Sequence, residues 1–298
     1  MKRFALIMMA VGVLTLPFNL DAAQVKLKFV GSIYTDAAGG ALQDPTGVSI
    51  ADGRLLVADS GGKRVLSYLI REGEARPDQI FPLPGMFPLM VQPAPNGEFY
   101  VLDGRERQIV ILESAGKVKG KFVPKGLPGS QRLVPRSIKL APDGSLLVLD
   151  VFSERVLKFD GSGNFQKQLA FPEQFGAFAD VTMDRSGNVY LLDSVEAVVY
   201  VARSGSDTFQ ALTTGMKSNM NFPTSLATDN VGTLFLVDKH GSGLAILGVD
   251  GSFAGRRLSM GWNDGQLYYP SQVSISEAGN LFIADTKNNR VQHFSIAD

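Results

Sequence analysis

Few side chains in this chain are suited to catalysis or metal binding. Its 298 residues include no cysteine and only two histidines, His240 and His293. Without cysteine there are no disulfides, no thiolate metal ligands and no thiol nucleophile. Two histidines cannot build the multi-histidine centres that many metalloenzymes use. We therefore expect no metal and no cofactor, and the remaining candidates are acidic, basic and aromatic side chains.

The aspartates recur at a regular interval along the chain. Six of them close a short apolar run and are spaced 43 to 47 residues apart: Asp59, Asp103, Asp150, Asp193, Asp238 and Asp285. A repeat of about 45 residues built from short strands is typical of the blades of a β-propeller. Six aspartates distributed around such a ring cannot share one active site, so we predict that they stabilise loops.

Each repeat is predicted to form four antiparallel strands. A first alternating segment ends at a tight turn such as Asp52-Gly53 or Asp143-Gly144, residues typical of short β-hairpins. An aliphatic run, a polar loop, a third run and a fourth segment follow. Six such units predict an all-β fold, a six-bladed β-propeller of four-stranded antiparallel blades that occupies residues 24–298. The last repeat lacks a fourth strand, so we expect residues 25–34 to complete that blade and close the ring.

Arginines follow several of the repeated aspartates. They lie four or five residues later, at Arg64, Arg107, Arg155 and Arg290. We predict that these guanidinium groups pair with the aspartates and that substituting either partner lowers stability without abolishing one particular activity.

Departures from the repeat are the better candidates for function. Because strand direction alternates, the loops after the aspartates and the long connections between blades emerge at one end of the ring, the connection end. The short hairpins emerge at the opposite, hairpin end. Loops on a rigid scaffold carry function, so we expect binding at the connection end and the channel mouth. There, Arg136 and Asp180 are charged exceptions from neighbouring blades; they either form an ion pair or grip a polar ligand with Gln272 nearby.

The fifth repeat departs most from the others. Where they carry an arginine, it reads Lys239, His240 and then Gly-Ser-Gly. His240 is either a solvated loop residue or a general base or metal ligand. Trp262, the only tryptophan, follows in the connection to the sixth repeat and is a candidate anchor for a partner.

The first 23 residues have the pattern of an export signal. Lys2 and Arg3 precede an apolar run of thirteen residues at 4–16. This run is shorter than the ~20 residues of a membrane-spanning helix but suits a secretory signal, and Ala22 and Ala23 suit cleavage. We expect a periplasmic or extracellular protein whose signal is either cleaved or kept as a membrane anchor.

The balance of charged residues limits the kinds of partner that we expect. Lys and Arg number 29 and Asp and Glu 29, so the basic excess typical of nucleic-acid binding is absent. We expect a monomeric propeller with no transmembrane segment in the mature chain, no nucleic-acid ligand, and a protein or a small envelope ligand as its partner.

Two stretches resemble a known repeat. LLVADSGGKRVLSY at 55–68 and LFIADTKNNRVQHF at 281–294 are similar to the NHL repeat, in which an apolar run and Val-Ala-Asp precede Asn-x-Arg-Val. The resemblance covers roughly residues 25–298 and is closest in repeats one, three and six. It implies a six-bladed NHL-type propeller, a family whose members mostly act as binding platforms.

Enzymes that resemble this fold suggest an alternative function. Amidating lyases and lactonases of similar fold bind metals through several histidines or through acidic and asparagine side chains, and here only Asp180 is placed for that role. We therefore predict a non-enzymatic exported binding or scaffold protein that recognises a protein or envelope ligand through its connection end and channel mouth. The alternative is a metal-dependent lyase or hydrolase, lactonase-like or amidating-lyase-like, with its site in the central channel.

Overall fold

The computed structural model describes residues 25–129, 132–173 and 176–297. Within these ranges the regular structure is β-strand, with three short 3-10 turns and no α-helix. The strands form six four-stranded antiparallel sheets, one for each sequence repeat. The prediction of an all-β, six-bladed propeller is therefore confirmed.

The strands of each blade follow the chain outward from the channel. The first strand, β1 (Lys26–Ile33), belongs to the last blade. Blade one contains β2 (Pro45–Ala51), β3 (Arg54–Asp59), β4 (Arg64–Arg71) and β5 (Glu74–Pro82). Blade two contains β6 (Pro88–Pro93), β7 (Phe99–Asp103), β8 (Gln108–Leu112) and β9 (Val118–Lys121). Blade three contains β10 (Pro135–Leu140), β11 (Leu146–Asp150), β12 (Arg155–Phe159) and β13 (Phe165–Ala170).

The second half of the ring repeats this order. Blade four contains β14 (Phe178–Met183), β15 (Val189–Asp193), β16 (Val198–Ala202) and β17 (Gln210–Ala211). Blade five contains β18 (Pro223–Thr228), β19 (Leu234–Asp238), β20 (Gly243–Leu247) and β21 (Phe253–Arg257). A short parallel pair, β22 (Ser259–Met260) and β23 (Gln266–Leu267), leads into blade six. Blade six contains β24 (Val273–Ile275), β25 (Asn280–Asp285) and β26 (Arg290–Ala297).

The ring closes with a strand from the other end of the chain. β1 pairs antiparallel with β26, from Lys26 opposite Ala297 to Ile33 opposite Val291. Blade six therefore has the order β24-β25-β26-β1, which confirms the predicted closure. Because β1 supplies the outer strand, blade six is tied covalently to blade one, and this join helps to keep the ring closed.

The hydrophobic core lies between neighbouring blades. Leu56 and Val65 of blade one, for example, pack in the same cluster as Val91 and Val101 of blade two. When the inner strands are aligned with Pro45 as position one, the residue at position four is always apolar and has no exposed surface. These residues are Val48, Val91, Ile138, Val181, Leu226 and Val273. Burying a side chain of this size stabilises a fold by about 1.5–3 kcal/mol. This repeated burial makes the blades a rigid frame around the channel.

The repeated aspartates hold the connections in place. Each accepts a backbone N–H, at 2.6 to 3.3 Å, from the segment that leads into the inner strand of its own blade. In blades one, three and six an arginine five residues later also pairs with the aspartate, at 2.7, 3.2 and 2.8 Å. These arginines are Arg64, Arg155 and Arg290. The aspartates thus serve the frame.

Arg107 does not join this pattern, and the prediction that it pairs with Asp103 is wrong. It lies four residues after Asp103, is exposed, and adopts a left-handed φ of 52° in the loop. The strand register instead places Gln108 opposite Asp103, with Nε2 3.5 Å from Oδ2. The residue that begins the next strand and lies opposite the aspartate is the fifth after it, not the fourth.

The predicted export signal, residues 1–23, lies outside the described residues. In the ranges that the structure describes, no helix is long and apolar enough to cross a membrane.

Candidate functional site in the central channel

The inner strands place polar side chains around the channel. In blades two, four, five and six, side chains on or just before the inner strand accept hydrogen bonds from backbone N–H groups of the next blade's inner strand. Gln272 Oε1 accepts from Val48 N at 2.8 Å, and Ser274 Oγ accepts from Ile50 N at 3.1 Å. These caps satisfy backbone groups that would otherwise face the channel unpaired.

Asp180 is one of these caps and is completely buried. Its Oδ1 accepts from Ser137 Oγ at 2.5 Å and from Val181 N at 3.0 Å, and its Oδ2 accepts from Leu226 N at 2.9 Å. The carboxylate thereby ties blades three, four and five together. Arg136 lies one position nearer the mouth and is exposed, and no ion pair joins it to Asp180. The structure therefore places these two candidates at different depths.

Lys139 is the charged group of the channel wall that sequence reasoning missed. It occupies the fifth position of its inner strand, is only 8% exposed, and its Nζ has no hydrogen-bond partner. Burial lowers the pKa of Lys139, and the negative charge of Asp180 opposes that shift. The other blades carry Ser49, Gln92, Thr182, Ala227 and Ser274 at this position. The sequence did contain a signal for this residue, because Lys139 is the one charged residue at this position among the six blades.

A cavity of about 640 Å³ occupies the hairpin end of the channel. All six blades line it through their inner strands and hairpins; the inner-strand contributors include Ser49, Gln92, Lys139, Thr182, Thr228 and Ser274. Gln272 immediately precedes the inner strand β24, two residues nearer the connection end than Ser274, and does not line the cavity. This cavity opens at the hairpin end, whereas the sequence predicted binding at the opposite, connection end.

The connection end is basic at the channel mouth. Burial lowers the pKa of Lys239, and the nearby charges of Arg136 and Lys287 lower it further. Lys287 pairs with Asp44 at 2.8 Å. Arg136 and Lys239 form no ion pair within the described ranges, so the mouth carries an excess of positive charge.

An aromatic surface adjoins this mouth. His240 stacks on Phe222, with ring centroids 4.8 Å apart, and its ring edge meets Tyr269 at 5.9 Å. Tyr269 contacts Tyr268 at 5.2 Å, and Tyr268 contacts Trp262 at 5.8 Å. Trp262 is 73% exposed. The candidates Lys239, His240 and Trp262 therefore share one face of the ring, whereas Asp180 and Gln272 are inside the channel.

The acidic and histidine side chains do not fit the metal site of the predicted alternative. No group of three or more His, Cys, Asp or Glu side chains in the described part of the chain is arranged to hold a metal ion. Both carboxylate oxygens of Asp180 already accept hydrogen bonds, and His240 lies on the outer face.

Comparisons with known proteins agree with this fold. Residues 267–294 match the NHL repeat family. No curated protein sequence matches the chain significantly. A gluconolactonase from Xanthomonas campestris aligns with a TM-score of 0.65 and 15% identity over 91% of this chain and 98% of that chain.

Two further solved structures are similar. A virginiamycin B lyase from Staphylococcus aureus aligns with a TM-score of 0.57 and 13% identity, covering 92% of this chain and 89% of that chain. The PQQ-bound aldose sugar dehydrogenase from Streptomyces coelicolor aligns with a TM-score of 0.64 and 12% identity, covering 92% and 98%. These neighbours are enzymes, and at such identities the likeness establishes the fold alone. The chain is therefore a six-bladed β-propeller, and residues 267–294 of its last blade match the NHL repeat.

Proposed function

We propose that this protein is an enzyme of the lyase or hydrolase class that acts on a small molecule in its central channel. The observation that carries the proposal is the cavity of about 640 Å³ with the buried, unpaired amine of Lys139 in its wall. Small-molecule sites typically have volumes of about 300–1,000 Å³ and few polar groups at defined positions. The volume of this cavity falls within that range.

Lys139 is the side chain suited to proton transfer. Asp180 accepts hydrogen bonds from three donors, whereas the buried Lys139 Nζ has no hydrogen-bond partner. Burial lowers the pKa of Lys139, which makes its ammonium a stronger acid. Such a group can protonate the oxygen that leaves when a C–O bond is cleaved, either by hydrolysis or by elimination.

The solved structures of this fold support a channel enzyme over a scaffold. Those compared above are named as a gluconolactonase, a virginiamycin B lyase and a sugar dehydrogenase. The present chain lacks the arrangement of three metal-binding side chains among its described residues. The proposed chemistry is therefore independent of a metal ion.

A second candidate function rests on the aromatic surface. Trp262 is 73% exposed, and Tyr268 and Tyr269 connect it to His240, the residue after Lys239 of the basic mouth. Exposed tryptophan and arginine are common anchors in protein interfaces. A protein partner bound there would make the ring a platform, and the apolar run at 4–16 supports a location outside the cytoplasm.

Blocking the cavity separates these two functions. Thr228 lines the cavity, whereas Val231 lies in the same hairpin and is 76% exposed. The Thr228→Trp variant should fill the cavity, and Val231→Trp is its matched control. Each protein would be incubated with a metabolite extract, and the compounds depleted and formed would be identified by mass spectrometry.

An enzyme depletes a compound and forms a new one, and Thr228→Trp should abolish this change while Val231→Trp retains it. A compound that is retained but not converted would instead indicate a binding protein. If Thr228→Trp behaves like the wild-type protein, the channel is not the site. Capture of a partner that depends on Trp262 but not on Thr228 would favour the platform.

A further inference from the structure

Three buried donor atoms of the channel lack an acceptor. Among the residues that the structure describes, the buried side-chain nitrogen and oxygen atoms without a hydrogen-bond partner are Gln92 Nε2, Lys139 Nζ and Gln272 Nε2. Gln92 and Lys139 lie on inner strands, Gln272 immediately precedes one, and all three are no more than 8% exposed. Leaving a buried donor unpaired costs about 1–3 kcal/mol, so native proteins rarely concentrate such groups in one place.

The orientation of the two amides follows from their oxygens. Gln92 Oε1 accepts from Leu140 N at 3.1 Å and from Ser49 Oγ at 3.2 Å. Gln272 Oε1 accepts from Val48 N at 2.8 Å. Turning either amide over would place its NH₂ group against a backbone N–H, so the nitrogens remain the unpaired atoms.

Another buried glutamine shows the usual arrangement. Gln292 Oε1 accepts from Gly265 N at 2.9 Å, and its Nε2 donates to Asp285 Oδ2 at 2.9 Å and to the carbonyl of Gln266. Both ends of this amide are paired. The unpaired nitrogens of Gln92 and Gln272 are therefore a property of the channel.

The charge of Lys139 is not neutralised by a contact. Asp180, whose charge favours the protonated form of Lys139, already accepts hydrogen bonds from Ser137, Val181 and Leu226 and forms no ion pair with Lys139. Gln92 and Lys139 are neighbours, because the amide of Gln92 rests on the backbone of Leu140, the residue after Lys139. Lys139 Nζ and the amide nitrogens of Gln92 and Gln272 are therefore donors without an acceptor.

We propose that Gln92, Lys139 and Gln272, the donor triad, bind the negatively charged oxygens of a small organic anion in the channel. This inference rests on the proposed function, because it names the class of molecule that the cavity takes. Gln92 and Lys139 contact the part of the anion in the cavity, and Gln272 serves an oxygen nearer the connection end. Carboxylates and phosphates share the required chemistry, which is several oxygen acceptors with negative charge.

The charged surroundings make the binding dependent on pH. Lys139 faces Asp180 from blade four, and the cavity rim carries Asp52, Asp229, Arg185 and Glu277. Arg185 and Glu277 pair with each other at 2.6 Å. An anion stabilises the charged form of Lys139, so affinity falls as pH rises through the range in which Lys139 loses its proton.

Calorimetric titration with acetate, succinate and inorganic phosphate tests the donor triad. Lys139→Met removes the charge but keeps most of the length of the side chain. Gln92→Glu and Gln272→Glu keep the oxygen that caps the next strand and replace the donor nitrogen with an acceptor. Lys167→Met is the matched control, because Lys167 lies in the same blade on β13 and pairs with Asp207 at 2.9 Å.

At least one probe should bind saturably to the wild-type protein and to Lys167→Met. Its affinity should fall about tenfold or more in Lys139→Met and in both Gln→Glu variants, since charged hydrogen bonds are lost. Binding of no probe to the wild-type protein, or equal binding to all variants, overturns the inference. The metabolite experiment with Thr228→Trp is independent, so the channel can be shown to hold a neutral molecule even when the donor triad fails.

Discussion

Blades five and six hold the same repeated aspartate in two different ways. In blade six, Arg290 follows Asp285 by five residues and donates to it from β26 at 2.8 Å. In blade five, Arg256 reaches Asp238 from β21, the outer strand, at 2.5 Å. Gly243 occupies the position of the missing arginine, and a Cβ there would lie 2.5 Å from Arg256 Nη2. Blade five has therefore kept the ion pair and moved its cation to another strand.

The loop after the repeated aspartate also differs between the two blades. In blade six the corresponding loop carries Thr286, whose hydroxyl donates to the carbonyl of Pro45 in the next blade at 2.8 Å. In blade five the same position is Lys239, at the basic mouth, and His240 follows on the aromatic surface. The residues that depart from the repeat in blade five are thus among the candidates for binding, whereas Thr286 of blade six joins two blades.

The largest expected effect comes from the buried arginine of blade six. Arg290 is 1% exposed and also donates to Tyr34 Oη and to the carbonyls of Asn263 and Gln266. Arg290→Ala should lower the free energy of unfolding by about 3–5 kcal/mol, because it leaves Asp285 buried without its cation. Arg256→Ala should cost less, about 1–3 kcal/mol, since its side chain is 31% exposed. Urea denaturation of both variants measures the difference, and equal losses would contradict the comparison.

The histidine of blade six is buried in its blade, and its protonation should affect stability. His293 in blade six is 2% exposed, stacks on Phe282 at 4.2 Å, and burial lowers its pKa from 6.5 to about 4. Between these values the unfolded chain binds more protons, so stability should decrease as pH falls from 6.5 to about 4, by up to about 3 kcal/mol. Unfolding measured across this range should show a weaker pH dependence for His293→Gln. An unchanged slope would mean that His293 is not held neutral.

Restoring the repeat arginine in blade five should also destabilise it. Gly243→Arg introduces a Cβ against Arg256 and should cost about 1–3 kcal/mol through overpacking. The double variant Gly243→Arg with Arg256→Ala should recover part of that loss, since the new arginine can then reach Asp238. The coupling energy from a double-mutant cycle measures this exchange. Strictly additive effects would show that the two arginine positions do not substitute for each other.

The smallest effect on stability is expected at the aromatic surface. Trp262 is 73% exposed, so Trp262→Ala should change the free energy of unfolding by no more than about 0.5 kcal/mol. Thermal unfolding checks this value. A loss of several kcal/mol would make Trp262 part of the frame and remove it as a candidate anchor.

The frame was predictable from the sequence because it is repeated. Turn residues, strand periodicity and the recurring aspartates are local signals that occur six times, and the missing last strand left residues 25–34 as its complement. Arg107 was misplaced because a spacing of four and one of five look alike in the sequence, whereas only the fifth residue faces the aspartate across the strand pair.

The channel was less predictable because its chemistry depends on contacts between blades. Whether Lys139 pairs with Asp180 depends on which donors Asp180 already binds. One of these donors, Leu226 N, lies 46 residues away in the sequence. No local pattern reveals that the carboxylate is already in use. The unpaired nitrogens of Gln92 and Gln272 likewise depend on their oxygens capping the neighbouring strands.

The most direct test of the channel site is the titration of Lys139 itself. NMR of the lysine side chains, with the Lys139 signal assigned through Lys139→Met, measures its pKa with and without succinate. The pKa should lie below the ordinary lysine value in the protein alone, because the ammonium is buried without a partner. Saturating succinate should raise it. An ordinary pKa that succinate leaves unchanged would contradict a buried cationic site for organic anions.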